Sequence, residues 1–185
     1  MTWLPPDFVH PVRVELPGGQ NLRPISGADA PIDYPAVMGS RERLWSIFGE
    51  AWGCPADTIT YEANKADLER HAAEIAAHES FNYVLFDAAG TTEFGCVYID
   101  PPEKAGADAE VSWWVVDDVV GSELERELDE FVPRRVGDAW PFERPRFIGR
   151  DVLEGSHLKW LVDPAPAARV PGELATLTTR PGPPS

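Results

Sequence analysis

The stretch that most constrains the fold is "AEVSWWVVDDVVGSELERELDEFV", residues 109–132. Its first half, "EVSWWVV" (110–116), is an apolar run of β-branched and aromatic residues, the composition of a buried strand. Its second half repeats Leu124, Leu128, Phe131 and Val132 at helical spacing, with Glu123, Glu127 and Glu130 expected to face water. A strand that enters a helix through a glycine, here Gly121, gathers unpaired amides and the positive end of the helix dipole at one point, which suits an anion. The local chemistry opposes that use. Ser122 and Glu125 have the spacing of a capping box, which would occupy those amides from within. Asp118 and Glu123 would each repel a phosphate by roughly 1 kcal/mol. Pro133 is expected to end or kink the helix, leaving Arg134 and Arg135 to complement its C-terminal dipole.

The rest of the chain supplies partners for this unit. "VRVELPGGQNLRPI" (12–25) reads as two short strands around a Pro-Gly-Gly turn. Residues 27–52 are Pro-interrupted, with a helix expected in "SRERLWSIFGEAW" (40–52) and Leu44, Ile47 and Phe48 on one face. Thr60 then caps a second helix, "YEANKADLERHAAEIAAHE", whose stripe is Leu68, Ala72, Ile75 and Ala76. "FNYVLFDA" (81–88) and "EFGCVYID" (93–100) form a hairpin around "AGTT". "RPRFIGRD" (144–151) adds a strand after the acidic helix. A single domain is expected over 1–163, with a short helix at most in 152–163. The last 22 residues hold six prolines and lack apolar alternation, so 164–185 reads as a loose tail. A sheet edge left open by that ending invites a second copy of the chain.

Composition removes several function classes. The formal net charge is −15, which opposes a nucleic-acid or anionic-membrane surface and suits a cationic partner, or simply solubility. No apolar run approaches the ~20 residues that span a bilayer. "MTWLPPDFVHP" lacks a signal peptide's basic and apolar regions, and Cys54 and Cys96 make no disulfide framework. A cytoplasmic protein is expected.

Strand, helices, three antiparallel strands, helix, strand: in that order residues 20–151 resemble the GNAT superfamily of acetyl-CoA-dependent N-acetyltransferases. "AEVSWWV" is similar to the segment before the cofactor loop in the branch that acetylates ribosomal-protein N-termini. The resemblance implies an α/β (α+β) fold, a mixed, mostly antiparallel sheet with helices on both faces. It implies acetyl-CoA as cofactor, a small-molecule or peptide amine as acceptor, and acyl transfer as the reaction. The backbone of Val115 and Val116 would pair with pantetheine, and Gly121 and Ser122 would offer amides to the pyrophosphate. Glu110 stands where the family often has a general base, with Asp100 and Tyr98 closing the neighbouring strand. The chain departs from the family at "DDVVGSELERE", which lacks the Arg/Gln-x-x-Gly-x-Gly/Ala pattern. The alternative is a GNAT fold that has lost CoA and serves as a small-molecule binding module or an enzyme of altered chemistry.

The remaining candidates are read from spacing. Alternation puts Glu110, Ser112 and Trp114 on one strand face and Trp113 on the other. Trp114 is thereby a substrate-wall candidate, while Trp45, Trp52 and Trp113 divide between such a wall and the core. His71 and His78 lie seven apart with Glu74 between them. The pattern is not His-Glu-x-x-His and no metal is expected there. Cys96 in mid-strand reads as a buried, inert thiol.

Overall fold

The structure, a computed structural model, describes residues 3–49, 53, 55–103 and 105–150. The expected tail, the short helix in 152–163 and Trp52 lie outside the described residues.

Six strands form one sheet in chain order: β1 (Val14–Glu15), β2 (Asn21–Pro24), β3 (Phe81–Phe86), β4 (Glu93–Asp100), β5 (Ala109–Val115) and β6 (Pro145–Phe147). Every neighbouring pair is antiparallel except β5 with β6, which run parallel because a helix connects them. Between β2 and β3 come α1 (Ala30–Gly39), α2 (Arg41–Leu44) and α3 (Tyr61–Ala77); α4 (Glu123–Ala139) joins β5 to β6. This is the expected mixed, mostly antiparallel sheet.

Period-two alternation splits its core in two. One face carries Val111, Trp113 and Val115 against Leu128, Phe131, Val132 and Val136 of α4. The other carries Val84, Cys96 and Trp114 against Ala30 of α1, Leu44 of α2 and Leu68 of α3. The helices thus cover both faces. At about 25 cal/mol per Å² of apolar surface, burial of these large side chains is the dominant stabilising term.

Several local expectations change. Residues 30–39, read as Pro-interrupted, are helical: Pro31 occupies the first turn, where no amide hydrogen is needed, and Pro35 is carried inside the helix. The next helix is shorter than expected. Four residues of α2 pass into a π-helical turn at Trp45–Gly49, whose extra residue rotates the following side chains. Leu44 and Phe48 are buried, but Ile47 and Trp45 are exposed. In α3 the Thr60 Oγ1 accepts from the Ala63 amide at 3.1 Å, the expected cap, whereas Ala76 faces solvent and Asn64 is buried in its stead. Pro133 neither ends nor breaks α4. The stripe runs past it to Val136, and burial of that stripe outweighs the missing hydrogen bond. Arg134 and Arg135 therefore sit in mid-helix, and the last turn has no basic residue. Glu127 is half-buried and accepts from the Gly18 amide at 2.9 Å.

One irregularity re-aims the side chains of β4. Leu85 pairs with Gly95 but Phe86 pairs with Glu93, so Phe94 is an extra residue, a β-bulge. Gly95 has φ +150°, and a Cβ there would lie 2.0 Å from the Trp114 carbonyl oxygen. Only glycine fits that position.

Candidate active site

The helical layer α1–α3 stands off the sheet and leaves a cavity of about 440 Å³. Its walls are apolar, Trp114 and Leu68 among them, but carboxylates reach in from three elements: Asp33 of α1, Asp67 and Glu74 of α3, and Asp100 at the end of β4. Trp114 Nε1 donates to the Tyr98 hydroxyl at 3.0 Å, which fixes both aromatic rings on the cavity wall.

His71 is the best-held titratable group there. Its Nδ1 lies 3.1 Å from Glu74 Oε2 and 2.9 Å from Asn82 Nδ2, and its Nε2 lies 3.3 Å from Asp67 Oδ2. Burial by itself would lower the His71 pKa, but the hydrogen bond and charge of Asp67 outweigh it and raise it above 6.5. Asp67 is held down to about 2; burial opposes this, and the His71 contact overcomes burial. His78 does not join this group. It caps α3 in the left-handed region, φ 57°, and packs its ring against His10 and Phe81. The helical spacing Asp67, His71, Glu74 was the signal that could have marked this network.

Asp100 and Glu110 are direct partners across β4 and β5. Both line a second cavity of about 440 Å³ with Ser112, and Asp100 borders the first cavity too. Burial raises the Asp100 pKa, although the Ser80 hydroxyl donates to Oδ1 at 2.6 Å. Burial also raises Glu110, aided by the charge of Glu103. Glu110 Oε1 and Ser112 Oγ are buried without a hydrogen-bond partner. Strands β4 and β5 therefore bring Glu110, Asp100, Tyr98 and Trp114 onto one face, with Glu110, Ser112 and Trp114 together as alternation required.

The corner after β5 is satisfied from within. Val116 N–H donates to Phe94 O at 2.8 Å, which turns Val116 toward β4, while Val111 O accepts from Ile148 N at 2.8 Å, which turns the odd-numbered residues toward β6. On that second edge, Trp113 O accepts from Arg150 at 3.0 Å and Val115 O accepts from the Arg43 guanidinium. The Asp117 amide donates to Ser40 Oγ at 2.9 Å. Val119, Val120 and Ser122 donate to backbone carbonyls of the same turn. Gly121, at φ +75°, donates to Glu125 Oε2 at 2.6 Å, and Ser122 Oγ accepts from Glu125 N at 3.3 Å. The cap expected from Ser122 and Glu125 is present, with the Glu reaching one residue further back than in the usual box.

Neither a family model nor a curated protein matches the chain. Solved structures do. The ribosomal-protein-S5-alanine acetyltransferase of Vibrio fischeri superposes with TM-score 0.52 at 17% identity, covering 69% of each chain. The microcin C7 self-immunity acetyltransferase MccE, solved with acetyl-CoA and AMP, gives TM-score 0.57 at 13% identity, over 83% of this chain and 81% of that one.

The chain has the GNAT fold.

A third similar structure is FdhC, a nucleotide-linked sugar GNAT, with TM-score 0.52 at 14% identity over 80% of this chain and 79% of that one. A CoA thioester, the cofactor bound in the MccE structure as acetyl-CoA, would need free amides and positive charge for its diphosphate at this corner. The amides of Asp117, Val119, Val120, Gly121, Ser122 and Glu125 are spent internally, and Asp117, Asp118, Glu123 and Glu125 surround them. These residues do not fit a pyrophosphate. Among the described residues no helix is long and apolar enough to cross a membrane.

Proposed function

We propose that this GNAT-fold chain is an N-acyltransferase-like protein whose acceptor is a small or peptide amine, held in the acidic cavity between α1, α3 and the sheet. The observation that carries this reading is the set of carboxylates facing an apolar-walled space of about 440 Å³, with Asp100 shared between that space and the cavity of Glu110. Three things must happen to an amine before it can attack an acyl carbon. It must be bound as an ammonium, desolvated, and deprotonated. Asp67 and Glu74 are already paired with Arg70 and His71, so Asp100 meets the cation, and Trp114 and Leu68 displace its water. Asp100 and Glu110, both made more basic by burial, accept the proton. The solved neighbours are acetyltransferases, which favours acyl transfer as the reaction class. No step is assigned to acyl-CoA, because the corner does not accommodate its pyrophosphate.

The spent amides favour a second reading, a module that binds the amine and transfers nothing. Calorimetric titration with a linear diamine, followed by a thiol-release assay with acetyl-pantetheine, a thioester without a diphosphate, and the same diamine, separates the two. Amine binding that weakens in Asp100→Asn, with thiol release, supports the transferase. Binding without release supports the module. Absence of diamine binding to the full chain would overturn both.

A further inference from the structure

Beneath the first cavity, which Asp33 and Cys96 line, Asp33, Glu93 and Cys96 each present one ligand atom, and these atoms lie within 4.8 Å of one another. All three residues are at least nine-tenths buried. They come from two elements, and the β-bulge unites the pair on β4. Residues three apart on a regular strand point to opposite faces; the extra residue Phe94 restores the parity and turns Glu93 and Cys96 the same way.

The chemistry of the group is unbalanced as it stands. Cys96 Sγ lies 3.6 Å from Glu93 Oε1, and Asn64 Nδ2 donates to Asp33 Oδ2 at 2.7 Å. Glu93 Oε2 is buried with no donor other than a carboxyl proton shared with Asp33, and burial pushes the Glu93 carboxyl up to about 9. Two buried carboxyl groups and a thiol must share either a proton or a cation. One distance is compatible with a metal as well as with a thiol hydrogen bond. Zinc–thiolate and zinc–carboxylate bonds of about 2.3 and 2.0 Å at a tetrahedral angle put sulfur and oxygen roughly 3.5 Å apart. The Asn64 amide orients the Asp33 carboxylate in the way outer partners of metal ligands do.

We propose that Asp33, Glu93 and Cys96 form a site for one divalent zinc-type cation, with its fourth position on the side where Asp33 and Cys96 line the cavity. Binding forms one Zn–S and two Zn–O bonds and releases to solvent the thiol proton and the proton shared by the carboxyls. Three protein ligands and an open position are the arrangement of zinc sites that bind water or a substrate atom. The inference does not depend on the acyl-transfer reading, since the metal can be measured without an amine or an acyl donor.

The test uses the full chain, freed of metal with a chelator and titrated with Zn²⁺ by calorimetry and with Co²⁺ by absorption. One equivalent of Zn²⁺ should bind, and Co²⁺ should give a thiolate charge-transfer band in the near ultraviolet. Cys96→Ser should abolish the band and Cys54→Ser should retain it. Asn64→Ala should weaken Zn²⁺ by about tenfold or more, the usual effect of losing an orienting partner. A full chain that binds no Zn²⁺ holds a proton at this site, and the proposal fails. It fails equally if the band survives in Cys96→Ser or is lost in Cys54→Ser.

Discussion

Single residues set the proton chemistry of the cavity. His71 gains Asp67 and Glu74 on folding, while Arg70 on the same helix and Asp100 on the sheet add opposing charges around it. A histidine whose folded pKa is raised contributes stability that is complete below 6.5 and is lost as pH climbs through the raised value. The melting temperature should therefore fall as pH rises above 6.5, and Asp67→Asn should flatten that slope. An NMR titration giving His71 a pKa at or below 6.5 would contradict the ion-pair geometry. Glu110 offers a second test. It is 6% exposed with Oε1 unpaired, so Gln should be accommodated sterically. If the protein transfers acyl groups, Glu110→Gln should lower turnover by about 10²-fold, the ordinary share of a general base, with little change in melting temperature. Parallel loss of activity and stability would make Glu110 a structural residue. The shared face of Glu110, Ser112 and Trp114 was legible in the sequence because period-two alternation is local, whereas Glu110 and Asp100 were singled out by the family resemblance. The metal-type cluster was not: Asp33 lies in a Pro-containing stretch, and nothing in "EFGCVYID" announces that Phe94 breaks the alternation.

At the scale of elements, β4 depends on one backbone conformation. Gly95 at φ +150° sits against the Trp114 carbonyl, and a methyl group there would meet it at 2.0 Å. Gly95→Ala should cost about 3 kcal/mol or more, read by denaturant unfolding, because both the clash and the positive φ must be relieved. A loss under 1 kcal/mol would mean that β4 and β5 can separate at little cost. The elements themselves were readable where a signal was local and strong. Thr60 before the α3 stripe, the Pro-Gly-Gly turn and the hairpin strands all fell where expected. Tertiary burial decided the exceptions. Pro133 stays inside α4 because Phe131, Val132 and Val136 are buried on both sides of it, and the π-turn at Trp45–Gly49 arises from packing that no helical repeat encodes.

Over the whole molecule, charge is the largest imbalance. With a net charge of −15, the folded chain repels itself more than the expanded one does, and salt screens that repulsion over a length of about 10 Å at 0.1 M. Raising sodium chloride from near zero to physiological strength should raise the melting temperature by a few degrees. Its ion pairs act the other way. Arg43 with Asp117 and Arg70 with Asp67 and Glu74 are partly exposed and weaken in salt. A fall in melting temperature would show that these pairs outweigh the net repulsion.

The odd-numbered edge of β5 also carries an optical consequence. The Arg150 guanidinium lies 4.1 Å over the Trp113 ring while donating to the Trp113 carbonyl, and the indole N–H donates to Asp129 at 2.7 Å. A cation stacked on an indole perturbs its excited state, so Trp113 fluorescence reports whether that edge is closed. A molecule that displaced Arg150 from the Trp113 carbonyl would shift the emission. Subtracting the spectrum of Trp113→Phe isolates that signal from the other tryptophans, giving a titration readout for occupants of the edge that carry no chromophore of their own.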